Sequence, residues 1–288
     1  MKRALILVAV IVAGVGAIIY GQHHHAEAPV SPAPLLHVIG DTEHDLTRVP
    51  MKLTRLSDDQ EIQIGNQIAA PYLIQAAHLP ADPQMEHYVS QVGVTLASHA
   101  HRKLPYRFHY LADPNYINAF SLPGGDVFIG EGLVRLMHSE DELAAVLGHE
   151  IEHIDHYHCA ERAQIEARLR HLPLGQLASL PIQLFEIGYS KEQELEADRE
   201  GTRLAALAGY SPYGTVSLLE HLESLHHRQI RKPKTPQGEL SEVALATITG
   251  YFESHPPAAE RIAQIQRLIA DSHWQSRTAQ HDLQFHPG

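Results

Sequence analysis

The order of polar and apolar positions predicts a mostly helical chain from residue 55 onward. Three stretches begin with a serine that has Glu or Gln three residues later, the pattern of a capping box at a helix start. The pairs are Ser57 with Gln60, Ser139 with Glu142, and Ser190 with Gln193. We expect the second of these helices to continue through His158 and the third to end near residue 208, before Gly209.

Further helices are predicted by prolines at the first helical turn and by one amphipathic stretch. Asp82-Pro83 opens a helix that we expect to reach residue 99, and Ser211-Pro212 opens another. The segment HPPAAERIAQIQRLIADSH (255–273) has apolar residues at helical spacing, which predicts a final amphipathic helix.

A short β-prone region lies between the helices. It consists of YRFHYLAD (106–113), YINAFSLP (116–123) and GGDVFIG (124–130), with Pro and Gly between the runs. This pattern predicts a small sheet or meander. The expected fold class is therefore α+β, mainly helical, with one domain over residues 55–272 and a polar C-terminal tail over 273–288.

The N-terminal 28 residues have the pattern of a signal or membrane anchor. MKR is followed by an apolar run over residues 4–20, at the short limit for a spanning helix. A possible cleavage site at Ala26-Glu27-Ala28 lies well beyond this run, which favours an anchor. The basic start would stay in the cytoplasm. The rest of the chain, after a Pro- and His-rich linker over 29–54, would be periplasmic and held at the inner membrane, or secreted if cleaved.

Charge and cysteine content narrow the possible partners. The net charge is −12, from 34 acidic and 22 basic side chains, which argues against binding to nucleic acid. The single cysteine, Cys159, excludes an internal disulfide framework and a cysteine-rich metal site. We expect Cys159 to be a packed, small side chain.

The segment ELAAVLGHEIEHIDHYH (142–158) has two histidines four residues apart. On a helix His149 and His153 share a face, so both imidazoles can bind one metal ion. Nitrogen ligands at about 2 Å suit zinc. Glu150 follows the first histidine and can take a proton from a water molecule that attacks a peptide carbonyl. Since the chain has 23 histidines, the motif can also arise by chance and needs support from other residues.

A catalytic zinc site needs a third protein ligand, and three patterns compete for that role. His156 shares the helical face but lies about 10 Å along the axis from His149. The pattern H-E-x-x-H-x-x-G-x-x-H requires Gly and His where this chain has His156 and Cys159. The strongest candidate is Glu194 in the segment SKEQELEAD. Asp198 shares its helical face and can accept a hydrogen bond from a ligating histidine.

Four separated motifs in this order resemble the HtpX- and BepA-type gluzincin zinc metallopeptidases, relatives of the CAAX prenyl endopeptidases. They are NAFSLPGGDVFIGEGLV (118–134), the H-E-x-x-H segment, SKEQELEAD followed by AGYSP, and HPPAAERI (255–262). The resemblance covers residues 55–270. It implies a zincin-like metalloprotease domain with an H-E-x-x-H active-site helix and a small β-sheet.

The resemblance also implies a role for each matching residue. It implies that three side chains bind one Zn²⁺ per chain: His149, His153 and Glu194. Glu150 would be the general base, and Asp198 would be hydrogen-bonded to a ligand. His255 would approach the metal, either capping it in a resting state or stabilising the oxyanion. We expect His156 and His158 to face solvent or to contact the ligands.

The implied function is a zinc-dependent endopeptidase that hydrolyses peptide bonds of unfolded or misassembled envelope proteins. The sequence lacks the multi-span membrane core of the prenyl endopeptidases and the helical repeat array of the BepA type, so it resembles a minimal single-domain form. The alternative is a latent, zinc-bound periplasmic chaperone or assembly factor in which His255 blocks the open metal position. A histidine-rich metal carrier is disfavoured, because it does not explain the acidic residues on matching helical faces.

Two segments are candidates for contact with a substrate. INAFSL (117–122), with Asn118, Ala119 and Phe120, predicts a strand beside the metal helix. An extended peptide can pair with such a strand if it lies at an exposed edge, although an internal strand fits the same sequence. Residues 171–189 form either a lid over the cleft or a packed connection.

Overall fold

The computed structural model describes residues 56–170, 180–186, 188–230, 258–278 and 280–285. The helices are α1 (Asp58–Ala76), α2 (Pro83–Ala97), α3 (Glu131–Val134), α4 (Glu140–Asp155), α5 (His158–Leu169), α6 (Gln183–Glu186), α7 (Lys191–Leu207), α8 (Tyr213–Ile230) and α9 (Ala258–Asp271). The strands are β1 (Arg107–Leu111), β2 (Ala119–Ser121) and β3 (Asp126–Gly130). The mainly helical α+β class predicted from the sequence is confirmed.

The N-terminal segment 1–28 and the linker 29–54 lie outside the described residues. No helix within the described ranges combines the length and the apolar character needed to cross a membrane.

Serine caps begin the three helices for which the sequence predicts capping boxes. At α1 and α7 both reciprocal hydrogen bonds of the box are present. At α4, Ser139 Oγ accepts a hydrogen bond from the backbone nitrogen of Glu142 at 3.3 Å. The Glu142 carboxylate accepts instead from the backbone nitrogen of His138 at 2.7 Å. This N-terminus is therefore capped, but by a different arrangement from the predicted box.

The three strands form one mixed sheet in the order β1-β3-β2. A tight turn with Gly124 and Gly125, both at positive φ, connects β2 to β3 and makes them antiparallel. Strand β1 pairs with β3 in parallel. The predicted small sheet is therefore present, but it is not a meander, because consecutive strands β1 and β2 do not pair.

The first metal-motif helix ends earlier than predicted. Helix α4 stops at Asp155, Tyr157 adopts a left-handed conformation (φ 66), and α5 begins at His158. Arg102 explains this break, since its guanidinium lies 3.8 Å from the Tyr157 ring centroid and donates to the carbonyl of Ile154 at 2.8 Å. The prediction of one continuous helix through His158 is wrong, because these long-range contacts end α4.

The described part of the predicted C-terminal tail, 273–278 and 280–285, contacts the first turn of α4. The backbone carbonyl of His281 accepts from the nitrogen of Glu140, at the start of α4. Asp141 accepts from the backbone nitrogens of His281 and Ser211, both at 2.7 Å. Leu283 is buried in the core. This segment packs against the domain because the first turn of α4 supplies it with buried hydrogen-bond partners.

Helix α4 is the centre of the fold. Every one of its residues is buried, and it packs against α2, α7, α8 and the sheet. A helix enclosed on all sides does not show one apolar stripe. The polar side chains of α4 therefore face other protein groups and must find their hydrogen bonds there.

Helices α4 and α7 cross at two glycines. A Cβ atom on Gly148 would lie 2.9 Å from the carbonyl oxygen of Gly201. A Cβ atom on Gly201 would lie 2.7 Å from the backbone nitrogen of His149. Both distances are too short for a real contact, so only glycine permits this approach. Glu194 and Asp198 lie about two turns and one turn before Gly201, which places both carboxylates beside the histidines of α4.

The Gly201→Ala substitution should force α4 and α7 apart. Although alanine favours a helix by about 1 kcal/mol over glycine, we expect the clash to lower the free energy of unfolding by about 1–3 kcal/mol net. Urea denaturation of the metal-free protein measures this change. Leu207→Ala on the exposed end of the same helix is the control, with an expected change below about 0.5 kcal/mol. Equal stability of Gly201→Ala and the wild type would contradict the close crossing.

Candidate metal centre

The two histidines of α4 face each other through their Nε2 atoms. Because they are four residues apart, His149 and His153 share one face of the helix. Their Nε2 atoms are 3.0 Å apart, and both side chains are buried. Each Nδ1 atom lies within hydrogen-bonding distance of another side chain, so both Nε2 atoms are directed toward a common point.

Helix α7 adds a carboxylate to this pair. Glu194 Oε2 lies 3.4 Å from His149 Nε2, and Glu194 Oε1 lies 3.6 Å from His153 Nε2. A tetrahedral zinc ion with bonds of about 2.0–2.1 Å separates its ligand atoms by about 3.3 Å, so this donor set fits zinc. Within the described part of the chain, these three residues are the one group of metal-ligating side chains whose ligand atoms lie so close, within 4.8 Å of one another.

Behind His149 lies a buried ion pair. Asp198 Oδ1 is 3.0 Å from His149 Nδ1. Arg261, on α9, donates from Nε and Nη2 to the two carboxylate oxygens of Asp198, both at 2.6 Å. Burial raises the pKa of Asp198, but the Arg261 guanidinium and the hydrogen bonds lower that pKa to about 2. Asp198 is therefore ionised at neutral pH and holds the proton of His149 on Nδ1.

The same contacts change the protonation of His149. Burial lowers its pKa, but hydrogen bonds to Asp198 and Glu194 have the larger combined effect and raise the pKa to about 10. Without a metal, His149 is therefore a cation at neutral pH. A metal ion that binds Nε2 must displace a proton.

The surroundings of His153 differ from those of His149. Its Nδ1 lies 2.9 Å from His158 Nδ1, and its ring stacks on Tyr189 with centroids 4.0 Å apart. The backbone nitrogen of Tyr189 donates to Glu194 Oε1 at 3.1 Å, and its hydroxyl donates to Cys159 Sγ at 3.2 Å. Tyr189 thus contacts two candidate ligands at once.

Glu150, the candidate general base, is connected to the sheet. Ser121, the last residue of β2, donates from Oγ to Glu150 Oε2 at 2.9 Å. Both residues are buried. This hydrogen bond fixes the direction of the carboxylate beside the ligand group.

A pocket reaches the candidate site between α4, α8 and β2. Its lining residues are Ala119, Ala145, Val146, His149, Glu150, Asp198, Thr215, Leu218, Leu219 and Arg261. Five of these residues are apolar and five are polar or charged, among them the candidate base and one candidate ligand. The free volume inside the pocket is about 20 Å³, which has room for about one water molecule.

Strand β2, the predicted substrate strand, lies at an edge of the sheet. Ala119 reaches the pocket. Phe120 is buried and stacks on Phe128, with ring centroids 4.8 Å apart. Asn118 Oδ1 accepts a hydrogen bond from the backbone nitrogen of Ala119 at 3.0 Å. Of the three predicted residues, Ala119 is therefore the one placed beside the candidate base.

The structure gives different outcomes for the other residues predicted from the sequence. His156 lies outside the ligand group, with Nε2 3.2 Å from a carboxylate oxygen of Glu152. Cys159 is buried, as expected for a packed side chain. His255 lies outside the described residues. Residues 171–179 and 187 of the possible lid also lie outside them, and the described remainder has buried side chains at Leu180, Ile182, Phe185 and Tyr189.

Sequence reasoning gave no role to three residues that contact the centre: Arg261, Ser121 and Tyr189. A signal for Arg261 exists, because it occupies the buried face of α9 together with Ala258 and Ile265. A cation on an apolar face requires a buried anion. Ser121 and Tyr189 have no comparable signal, since the side chains that they contact, Glu150, His153 and Cys159, lie in other elements.

Comparison with known proteins gives a consistent result. A family model described as peptidase family M48 matches residues 83–269. The beta-barrel assembly-enhancing protease of Escherichia coli (strain K12) is 30% identical over 200 residues, which cover 62% of this chain and 41% of that protein. The protein of the same name from Yersinia pestis is 30% identical over 234 residues, with coverages of 72% and 47%. The mitochondrial metalloendopeptidase OMA1 of Schizosaccharomyces pombe is 29% identical over 186 residues, with coverages of 61% and 50%.

The chain thus spans half or less of the length of these curated relatives. The matches confirm the family resemblance carried by the four sequence motifs. The family model includes α4, α7 and all three candidate ligands, and it covers more than half of the chain. The chain therefore belongs to peptidase family M48.

Proposed function

We propose that this protein is a zinc-dependent endopeptidase. One observation carries the proposal: two imidazole Nε2 atoms and a carboxylate converge at separations of 3.0–3.6 Å, close to those of a tetrahedral zinc site. Membership of a peptidase family and relatives named as proteases support it. The donor set of two histidines and one glutamate leaves a fourth position for water or substrate.

Each side chain of the centre has one task in this proposal. His149, His153 and Glu194 hold the metal. Asp198 and Arg261 keep His149 in the tautomer that binds through Nε2, because the carboxylate accepts from Nδ1 and the guanidinium keeps that carboxylate ionised. When bound, zinc supplies a Lewis acid that polarises the scissile carbonyl and lowers the pKa of water.

Glu150 is the proposed general base. Its carboxylate takes a proton as water attacks the peptide carbonyl and later gives a proton to the leaving amine. Ser121 holds one carboxylate oxygen by its hydrogen bond, which reduces the number of orientations that Glu150 can adopt. The base thus faces the pocket in a fixed direction before a substrate arrives.

The edge strand β2 is the proposed site for the substrate backbone. An extended peptide that pairs with residues 118–120 would run past Ala119 and place a carbonyl near Glu150. Backbone pairing makes little demand on the side chains of the substrate. It suits unfolded or misassembled envelope proteins, the substrate class that we propose. Two of the relatives are named for the enhancement of β-barrel assembly, which agrees with this class.

For location, we propose the periplasm, with residues 4–20 as an inner-membrane anchor or a cleaved signal. The basic start and the apolar run of the sequence support it. The alternative function, a latent zinc-bound chaperone or assembly factor, depends on His255 blocking the open metal position. A measurement of cleavage separates the two functions.

Glu150→Gln should abolish cleavage while leaving metal binding intact. The amide cannot accept a proton, so we expect the rate of casein cleavage to fall by about 10²–10⁴-fold. Cleavage and bound zinc are measured together on the full chain. Glu152→Gln, a buried glutamate two residues later on the same helix, is the matched control and should keep near wild-type activity. Zinc-loaded wild type that cleaves no faster than Glu150→Gln would favour the latent protein.

Metal affinity should rise steeply with pH. Because the pKa of His149 is about 10 in the metal-free protein, binding displaces one proton from it throughout the neutral range. The apparent affinity should therefore rise about tenfold per pH unit, or about 100-fold from pH 6 to 8. Competition against a chelator of known proton affinity measures this dependence.

Asp198→Asn is the comparison for that experiment. It removes the carboxylate that contributes most to raising the pKa of His149, so the pH dependence of metal affinity should become flatter. A wild-type affinity that does not change between pH 6 and 8 would contradict the protonated state assigned to His149.

A further inference from the structure

His158 is a buried histidine directly behind one of the candidate ligands. It is 3% exposed, although it follows the end of α4 by only three residues. Its Nδ1 lies 2.9 Å from His153 Nδ1, and its Nε2 lies 3.3 Å from Glu196 Oε2 on α7. The Glu196 side chain is 38% exposed. A row of three side chains thus leads from the candidate ligand to the protein surface.

The positions of the ring nitrogens determine where the protons lie. A neutral imidazole has one nitrogen that donates and one that accepts. If Nε2 of His153 binds a metal, the ring proton of His153 is on its Nδ1. The Nδ1 atom of His158 must then accept the hydrogen bond that His153 Nδ1 donates. The proton of His158 is then on Nε2, where the Glu196 carboxylate accepts it. One consistent direction of donation therefore runs from His153 through His158 to Glu196.

The backbone brings His158 into this position. Tyr157 has φ 66, and this left-handed residue separates α4 from α5. A helix that continued past Asp155 would carry residue 158 onward along its axis, away from the ring of His153. The break turns the first residue of α5 back toward the face that holds both histidines.

His149 and His153 are therefore supported in different ways. Asp198 accepts directly from His149 Nδ1 and is itself held by Arg261. The Nδ1 atom of His153 faces the ring of His158 instead, and the Nε2 atom of His158 lies 3.3 Å from a carboxylate oxygen of Glu196. A packing role alone does not require this arrangement, because a buried imidazole costs free energy unless its nitrogens are hydrogen-bonded, whereas an apolar side chain of similar size does not.

We propose that His158 and Glu196 are positioning residues that fix the tautomer and the orientation of His153 as a metal ligand. The inference rests on the proposed function, since it requires metal binding by His149, His153 and Glu194. It extends that function by giving the second histidine ligand its own hydrogen-bonded support. Neither His158 nor Glu196 belongs to the candidate ligand group of His149, His153 and Glu194.

The test compares two substitutions of similar size in the full chain. The amide of His158→Gln can accept from His153 and donate to Glu196, whereas His158→Leu fills the space with neither group. We expect His158→Leu to lower zinc affinity by about 10–100-fold, the usual effect of losing such a partner, and His158→Gln to recover most of the loss. Zinc affinity is measured by chelator competition, and the melting temperature of the metal-free protein reports folding. The Co²⁺-substituted proteins provide an absorption spectrum of the ligand arrangement.

A structural role predicts the opposite order. Leucine would then be tolerated, and glutamine would lower the melting temperature of the metal-free protein. Wild-type zinc affinity and an unchanged Co²⁺ spectrum in His158→Leu would overturn the proposal. So would an equal loss of affinity in both variants.

Glu196→Ala keeps the test decisive if His158→Leu does not fold, because Glu196 is partly exposed. It should lower zinc affinity by less than His158→Leu, and its matched control is Glu200→Ala on the same helix, which pairs with arginines and with neither histidine. Equal affinities of Glu196→Ala and Glu200→Ala would overturn the proposal.

Casein cleavage by the wild type is measured in parallel. Zinc binding without cleavage contradicts the endopeptidase alone, whereas a wild type that binds no zinc overturns both inferences.

Discussion

The close crossing of α4 and α7 is the constraint on which the site depends. Gly148 and Gly201 let the two backbones approach to a distance that any Cβ atom would prevent. At this separation the carboxylates of Glu194 and Asp198 reach the ring of His149 from opposite sides. A wider crossing would leave the histidines and the carboxylates on separate helices without a common metal position. The absence of a Cβ atom at both glycines thus lets the three candidate ligands come together.

The second requirement is compensation of charge in a dry interior. His149, His153, Glu194 and Asp198 are all buried, and an unpaired buried charge is strongly unfavourable. Arg261 offsets Asp198, and without a metal the proton on His149 offsets Glu194. Removing one partner of such a pair costs about 3–5 kcal/mol. In the proposed function, a bound metal cation would replace that proton and would offset the Glu194 carboxylate in its place.

Particular residues show how far sequence reasoning reached. The four-residue spacing of His149 and His153 requires only a helix, and the capping serines located the starts of that helix and of α7 correctly. The break at Tyr157 was not predicted, because Arg102 causes it from a distant loop. The contacts of His281 and Leu283 have no local signal for the same reason, since Asp141 and the core provide their partners. Local patterns predicted local structure, and long-range contacts decided the exceptions.

By itself, the sequence determined the starts of the helices that begin with a capping serine or a proline, the presence of a small sheet, the family and the three candidate ligands. Each of these depends on the spacing of residues within one segment or on the order of motifs. Tertiary structure decided which groups support those ligands. Arg261, Ser121, Tyr189 and His158 reach the centre through contacts between elements far apart in the chain or through a backbone break that no local pattern indicates. Hydrogen bonds of this kind depend on distances and angles in the folded chain, and residue spacing does not specify them.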